Sequence, residues 1–309
     1  MLVQSFLDYL RLERGYSEKT IVSYETDLLE FQRFFESLDS GLTFDSIDAD
    51  VVRNWSMSLM SQGLKASSVN RKLSALRSFY RYLLRNKAVS VSPMQKVKGP
   101  KKKKPLPVFL REEEMNRLLD ELDFAPGWEG KRDRLILQMF YETGMRRAEL
   151  VGLDEKDVDT YRKQIKVTGK RNKQRMIPFG EELQKAIEEY EELKKLSVAS
   201  QDDALFVDKK GLRVKPTWVY TMVRRYLSKV STQKKRSPHV LRHTFATTML
   251  NNDAELEAVK EILGHSSVST TEIYTHTTFE ELKKAYATAH PRERSNRSNQ
   301  PSEKSDIIK

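Results

Sequence analysis

Four of the five histidines in this sequence, His239, His243, His265 and His276, fall between Ser237 and His276, and the fifth is His290. In "RSPHVLRHTFATTML", Ser237 suits a helix N-cap and Pro238 the first helical position, which puts His239 in the first turn. Arg242 comes three residues later and shares that face. A helix N-terminus offers unpaired amides and favours an anion, so an imidazole and a guanidinium added there make a phosphate cradle. His243 turns about 100° away from Arg242 and is expected to pack or hydrogen-bond in the core.

Two further elements suit a phosphate. In "ETGMRRAEL", Gly144 breaks the chain, Arg146 starts a new helix, and Glu149 one turn later can hold a basic neighbour. In "TGKRNKQ", Lys170 follows Gly169 at a turn; taken alone, a lysine there is also a common solvated surface residue. The stretch "LGHSSVSTTEIYTH" adds a tyrosine. Gly264 closes a helix, His265 sits in the joint, and Ser269 with Glu272 reads as a capping box, so Tyr274 rides a short helix. By itself Tyr274 fits a core anchor as well as a chemical role. Clustered histidines also raise the question of zinc, but a guanidinium is a poor neighbour for a divalent cation and no H-E-x-x-H pattern occurs, so no metal is expected.

The elements that must position these groups change character along the chain. The first hundred residues read as four helices: Leu2 to Leu12 with Val3, Phe6, Leu7 and Leu10 at helical spacing; a second beginning after Ser17; a third ending at Gly63; and a fourth with Val69, Leu73, Leu76, Phe79, Tyr80 and Leu83 in a stripe. Four such helices make a bundle. Prolines 93, 100, 105 and 107 and the run Lys101, Lys102, Lys103 and Lys104 then mark a basic linker, either solvated or laid along a phosphate backbone. Beyond it, "REEEMNRLLDEL", "GKRDRLILQMFYETG" and "MRRAELVGLDEKDVD" are expected helices. Ile165, Val167, Met176, Ile177 and Phe179 form a hairpin, "ALFV" a further short strand, and five helical stretches complete the chain. The fold class expected is mainly α in two domains: a helical bundle at 1–95, a linker at 96–110, a mostly helical α+β domain with a small antiparallel sheet at 111–290, and a polar tail at 291–309 disordered at least in part.

Composition bounds the function. At 309 residues and 38% hydrophobic content the chain can bury two ordinary cores, and a net charge of +11 favours a polyanionic partner. The absence of cysteine excludes disulfides, thiolate metal sites and cysteine nucleophiles and favours a cytoplasmic home. No apolar run of spanning length and no signal-peptide layout is present, so no membrane anchor is expected.

Together, "TGMRRAEL", "GKRNKQR", "HVLRHTFATTML" and "LGHSSVSTTEIYTH" resemble the tyrosine recombinases of the phage integrase family, and among them the XerC/XerD-like subgroup. The resemblance covers nearly the whole chain and includes the spacing of Arg242, His265 and Tyr274. It implies a SAM-like core-binding bundle with a three-stranded sheet in the catalytic domain, and cleavage and rejoining of DNA through a 3′-phosphotyrosyl intermediate with neither metal nor nucleotide cofactor. It implies that Arg146 and Arg242 grip the scissile phosphate, Glu149 supports them, His239 and His265 serve proton transfer and phosphate hydrogen bonding, Lys170 protonates the leaving 5′ oxygen, and Tyr274 is the nucleophile. The hairpin carries Arg171 where the subgroup usually has glycine, which adds charge and stiffens the turn. Ser68, Arg71 and Lys72 become candidate DNA-reading residues, and Lys101 to Lys104 candidate backbone contacts.

The implied partner is a specific double-stranded DNA site bridged by four protomers, either identical or mixed with a second recombinase. "FEELKKAYATAH", with Phe279, Leu282 and Tyr286, is expected to dock on a neighbour, with packing within its own chain as the alternative. Chromosome dimer resolution is the expected role, favoured by the lack of an arm-binding domain ahead of the bundle. An integrase or invertase with the same chemistry, a noncatalytic DNA-binding protein and a type IB topoisomerase are the alternatives.

Overall fold

The computed structural model describes residues 2–101, 108–169, 172–264 and 279–293, and the chain folds as two units, Met1–Pro105 and Leu106–Lys309. In the first, α1 (Leu2–Leu12), α2 (Glu18–Leu38), α3 (Ala49–Ser61) and α4 (Ala66–Arg85) enclose a core in which Phe6, Phe31, Phe35, Phe44, Trp55 and Phe79 are buried. Local signals set the ends. Asp48 accepts the Asp50 and Val51 amides at the start of α3, and Gly63 takes a left-handed φ of 83° beyond its end. Ser17 precedes α2 as expected, although its hydroxyl pairs with Thr20 rather than capping an amide. Residues 97–100, expected in the linker, are bound to this unit: Val97 is buried, its carbonyl accepts from Arg77, and Asn70 donates to Pro100 O at 2.8 Å.

The second unit is built around α6 (Trp128–Thr143), which is buried on nearly every side, including the carboxyl of Glu142. Around it stand α5 (Glu112–Asn116), which runs into one π-helical turn at Arg117–Glu121, α7 (Arg147–Val151), α8 (Glu181–Ser197), α9 (Pro216–Val230), α10 (Pro238–Asn251), α11 (Leu256–Leu263) and α12 (Phe279–Ala289). A meander of β1 (Val158–Asp159), β2 (Gln164–Thr168) and β3 (Gln174–Pro178) lies in the order β1-β2-β3, with Ile165 opposite Ile177 and Val167 opposite Arg175.

Several expectations are corrected here. The helix expected over 145–159 is only the five residues of α7, followed by a 3-10 turn at Glu155–Asp157 and then β1. Gly152 takes up the carbonyls at the end of α7, and Asp154 turns away to bond Arg213. "ALFV" is not a strand of the sheet; it makes isolated bridges, Asp154 with Ala204 and Val207 with Arg213, because its buried side chains fix it across the loop after α7. The apolar stripe of α12 serves its own chain: Leu282, Tyr286 and Ala289 are buried in this unit's core. Tyr286 stacks on His290 with ring centroids 5.1 Å apart, and its hydroxyl donates to Glu142 at 3.4 Å. The start of the expected tail is also held, since Arg292 pairs with Asp120 and Glu182 at 2.7 Å each and Glu293 accepts the Glu181 amide.

Candidate active site

Three chain reversals gather the site. At the end of α6, Gly144 adopts φ 58°, a left-handed bend that frees its carbonyl and aims Arg146 at the next helix. Its missing side chain matters, because a Cβ there would lie 2.4 Å from Phe245 and 2.7 Å from Leu263. Arg146 is the residue preceding α7, and Glu149 reaches back to its amide at 2.7 Å while pairing with its Nη1 at 2.8 Å. At the second reversal α11 ends on Gly264, again left-handed at φ 64°. Here Arg146 Nη2 donates to Gly264 O at 2.9 Å, and Arg242 Nη2 donates to Leu263 O at 2.7 Å. The other Nη of Arg242 takes Gly144 O at 2.7 Å, so the two bends hold one guanidinium between them. The third is the β2–β3 hairpin. It is closed by Gly169 N donating to Lys173 O, and a Cβ on Gly169 would lie 3.5 Å from Glu149 Oε1, which puts the base of the tip beside Glu149.

Charge is concentrated accordingly. Burial, then repulsion from Arg146, pushes Arg242 down to about 10, which still leaves it cationic at neutral pH. Burial would raise Glu149, but hydrogen bonds from Arg175 and from the Arg146 amide outweigh it and hold the carboxyl at about 2. His239 stands in the first turn of α10 after Pro238, as its sequence signals require, although Ser237 makes no side-chain cap bond. Partial burial, followed by the positive charges of Arg242, His243, Arg147 and Arg146, lowers its pKa, so the ring is neutral at physiological pH and able to take a proton. His243 does not enter the core. It is exposed, because it lies one turn beyond His239 on the same outward face.

Of the residues singled out from the sequence, Arg146, Glu149, His239 and Arg242 are therefore brought together. Lys170, His265 and Tyr274 lie outside the described residues, as do Lys102, Lys103, Lys104 and the expected cap at Ser269. In the helical bundle Ser68 is half-buried in the first turn of α4, and Lys101 is exposed. Lys72 is not on offer to a ligand: its side chain is 9% exposed and pairs with Asp27 at 3.2 Å and Glu30 at 2.6 Å. Arg71 also pairs with buried Asp27, through both Nη atoms, though half of its side chain stays open. Sequence reasoning missed Arg175. It donates Nε to Ile262 O at 2.7 Å and both Nη atoms to Glu149 at 2.8 and 3.0 Å. The signal was there: alternation along β3 puts residue 175 on the same face as Ile177 and Phe179, an arginine in an apolar position.

The sequence profile of the phage integrase family matches residues 108–281, and that of the phage integrase N-terminal SAM-like domain matches residues 3–87. The chain belongs to the phage integrase family. Similar members include the tyrosine recombinase XerC of Chlorobaculum tepidum, 38% identical over 313 residues and 93% of each chain. The tyrosine recombinase XerC of Staphylococcus saprophyticus is 41% identical over 291 residues, 94% of this chain and 97% of that one. The fold is that of the XerH site-specific recombinase bound to palindromic difH substrate in a post-cleavage complex, with a TM-score of 0.70 and 24% identity over 92% of this chain and 84% of the other. As a member of the phage integrase family at this level of identity, the chain is a site-specific tyrosine recombinase of the Xer type.

Proposed function

We propose that the chain cleaves and rejoins double-stranded DNA at one specific site to resolve joined chromosomes, with Tyr274 as nucleophile and the cluster of Arg146, Arg242, His239 and Glu149 as the seat of the scissile phosphate. The observation that carries this reading is that Arg146 and Arg242, from separate helices, hang from successive carbonyls, Gly264 and Leu263, at the point where the chain enters 265–278. Two guanidiniums held side by side have one chemical use that offsets their repulsion, which is to share an oxyanion.

In the step proposed, the Tyr274 oxygen attacks phosphorus, the bond from phosphorus to the 5′ oxygen breaks, and the 5′ oxygen leaves with a proton from Lys170. The phenol, with an ordinary pKa of about 10, gives its proton to a neutral imidazole, a task the lowered pKa of His239 suits. Arg146 and Arg242 offset the charge that grows on the nonbridging oxygens, and Glu149 keeps Arg146 oriented. Attack by a 5′ hydroxyl of another strand reverses the step and releases the tyrosine. The bond energy is kept in the phosphotyrosine, so the residues need no external energy source. Two duplexes and four protomers, alike or with a second recombinase, complete the exchange. The strongly positive chain suits this partner, and the Xer relatives favour dimer resolution over integration.

The test is to cross-link nothing and sequence the DNA that the protein captures covalently in its host. One dominant chromosomal site, lost in Tyr274→Phe, is the expected result. An adduct that persists in Tyr274→Phe refutes the nucleophile, and many dispersed sites refute dimer resolution.

A further inference from the structure

The end of α11 holds more than the two arginines assigned to phosphate. Three consecutive carbonyls, Ile262, Leu263 and Gly264, each accept one guanidinium, from Arg175 at 2.7 Å, Arg242 at 2.7 Å and Arg146 at 2.9 Å. These are the carbonyls a helix leaves without intrahelical partners, at the negative end of its dipole, so cations are favoured there. The three arginines come from β3, α10 and the start of α7, and α11 is the one element they share.

Arg175 differs from the other two. Its Nε and both Nη atoms are all engaged, with Ile262 O and the two oxygens of Glu149, and its side chain is 15% exposed. Glu149 Oε1 is then shared between Arg175 and Arg146 Nη1, while Oε2 is shared between Arg175 and the Arg146 amide. Gly264 packs flat on this guanidinium: a Cβ there would lie 3.0 Å from Arg175 Nη1.

We propose that Arg175 is a positioning residue for the recombination step: it fixes Arg146 through Glu149 and fixes the end of α11, from which 265–278 departs, against the hairpin whose tip carries Lys170. This deepens the reading of Arg146 and Arg242 as the phosphate grip and rests on it. Without Arg175, both oxygens of a buried carboxylate turn to Arg146 and draw its guanidinium away from Gly264 O and from the phosphate. Ile262 O simultaneously loses its donor, so the backbone leading to His265 and Tyr274 loses its anchor on β3. The loss falls on the chemical step, because Arg175 itself presents no donor to DNA. It also reaches the titration of Glu149, which faces Arg146, Arg175 and Arg242. The hydrogen bond from Arg175 is the first of the forces that lower that carboxyl, and with it gone the balance shifts upward, towards the protonated form.

The experiment uses the full chain and a nicked duplex carrying the site recovered by covalent capture, with equilibrium binding and single-turnover adduct formation measured in parallel from pH 5 to 8. Arg175→Gln is expected to bind within two-fold of wild type, to form the adduct at least 30-fold more slowly, and to gain an acid limb that Arg175→Gln with Glu149→Gln lacks. Arg175→Lys, which keeps the charge but cannot span three acceptors, is expected to be at least three-fold slower. Adduct formation by Arg175→Gln within three-fold of wild type, or equal losses of binding and cleavage, overturns the proposal. If Arg175→Gln does not fold, Arg175→Lys decides by the same three-fold threshold. The parallel Tyr274→Phe and Arg242→Gln proteins separate the two ideas: if either cleaves like wild type, or capture returns no site, the reading of the site itself has failed.

Discussion

Replacing His290 by phenylalanine isolates a buried titration beneath α12. The imidazole is 0% exposed, lies among the rings of Tyr141, Phe245 and Tyr286, and among the described residues neither ring nitrogen meets a hydrogen-bond partner. Burial pushes its pKa down to about 3 from 6.5, and the positive charge of Arg292 acts in the same direction. The unfolded chain therefore takes up this proton as pH falls through 6.5 while the folded chain does not until about 3, so stability declines between those values by about 1.4 kcal/mol per pH unit. Glu142 has the opposite sign. Burial, opposed by Gln138 and Arg292, raises it to about 8 from 4.5, so the unfolded chain gives up its proton first and stability declines as pH rises from 4.5 to 8. Between 4.5 and 6.5 the two slopes cancel.

His290→Phe removes one slope and leaves the other. The stability of the variant minus that of wild type is expected to rise by about 2 kcal/mol between pH 7.5 and 5, whatever constant offset the new ring's packing adds. Urea unfolding followed through Trp128 and Trp218, in a Trp55→Phe background that silences the other unit, reads this difference. A difference that stays flat over that range refutes the assignment. In Glu142→Gln the same difference is expected to grow by about 3.5 kcal/mol from pH 5 to 8.

Three shorter predictions concern the site and the bundle. Arg242→Gln is expected to slow adduct formation by roughly 100- to 1,000-fold, the usual effect of one lost oxyanion donor, in a single-turnover assay on nicked DNA. Because His239 is held below 6.5, wild-type adduct formation is expected to be level from pH 8 to 6.5 and to fall only below that, a limb absent in His239→Gln. Lys72→Met is expected to cost about 2 kcal/mol in the thermal or urea stability of the bundle, since a buried charged partner is lost. The salt slope of its DNA binding should match wild type, whereas Lys101→Ala should lower that slope by about one.

What was legible in the sequence was what is fixed within a few residues. Gly63, Gly144 and Gly264 each end a helix in a left-handed conformation, and Pro238 opens one, because φ preferences act locally. What failed depended on distant partners. "ALFV" has strand composition, but Leu205 gives its amide to Leu153 across the loop rather than to a strand. The stripe of α12 is the same pattern whether its cover is α10, α11 and β3 or a neighbour, so spacing alone could not decide. Arg71 and Lys72 were candidates for reading DNA because nothing nearby in sequence shows that Asp27 is buried beneath them. Within the cluster, Arg146 and Arg242 were readable by type and spacing, while the role of Arg175 required knowing that Ile262 and Glu149 lie beside β3.

The carbonyls at the end of α11 have a thermodynamic consequence. In the proposed role they aim two guanidiniums, those of Arg146 and Arg242, before any phosphate is present, so the reorganisation that water or a loose side chain would need at the moment of reaction has already been done during folding. Folding bears that cost in the burial of Arg242 and, after it, in its repulsion from Arg146, which together lower the pKa of Arg242. Under the proposed function an arriving phosphodiester would relieve that repulsion, and the site would grow more stable as it binds, with affinity for the anion supplied partly by strain removed from the protein itself.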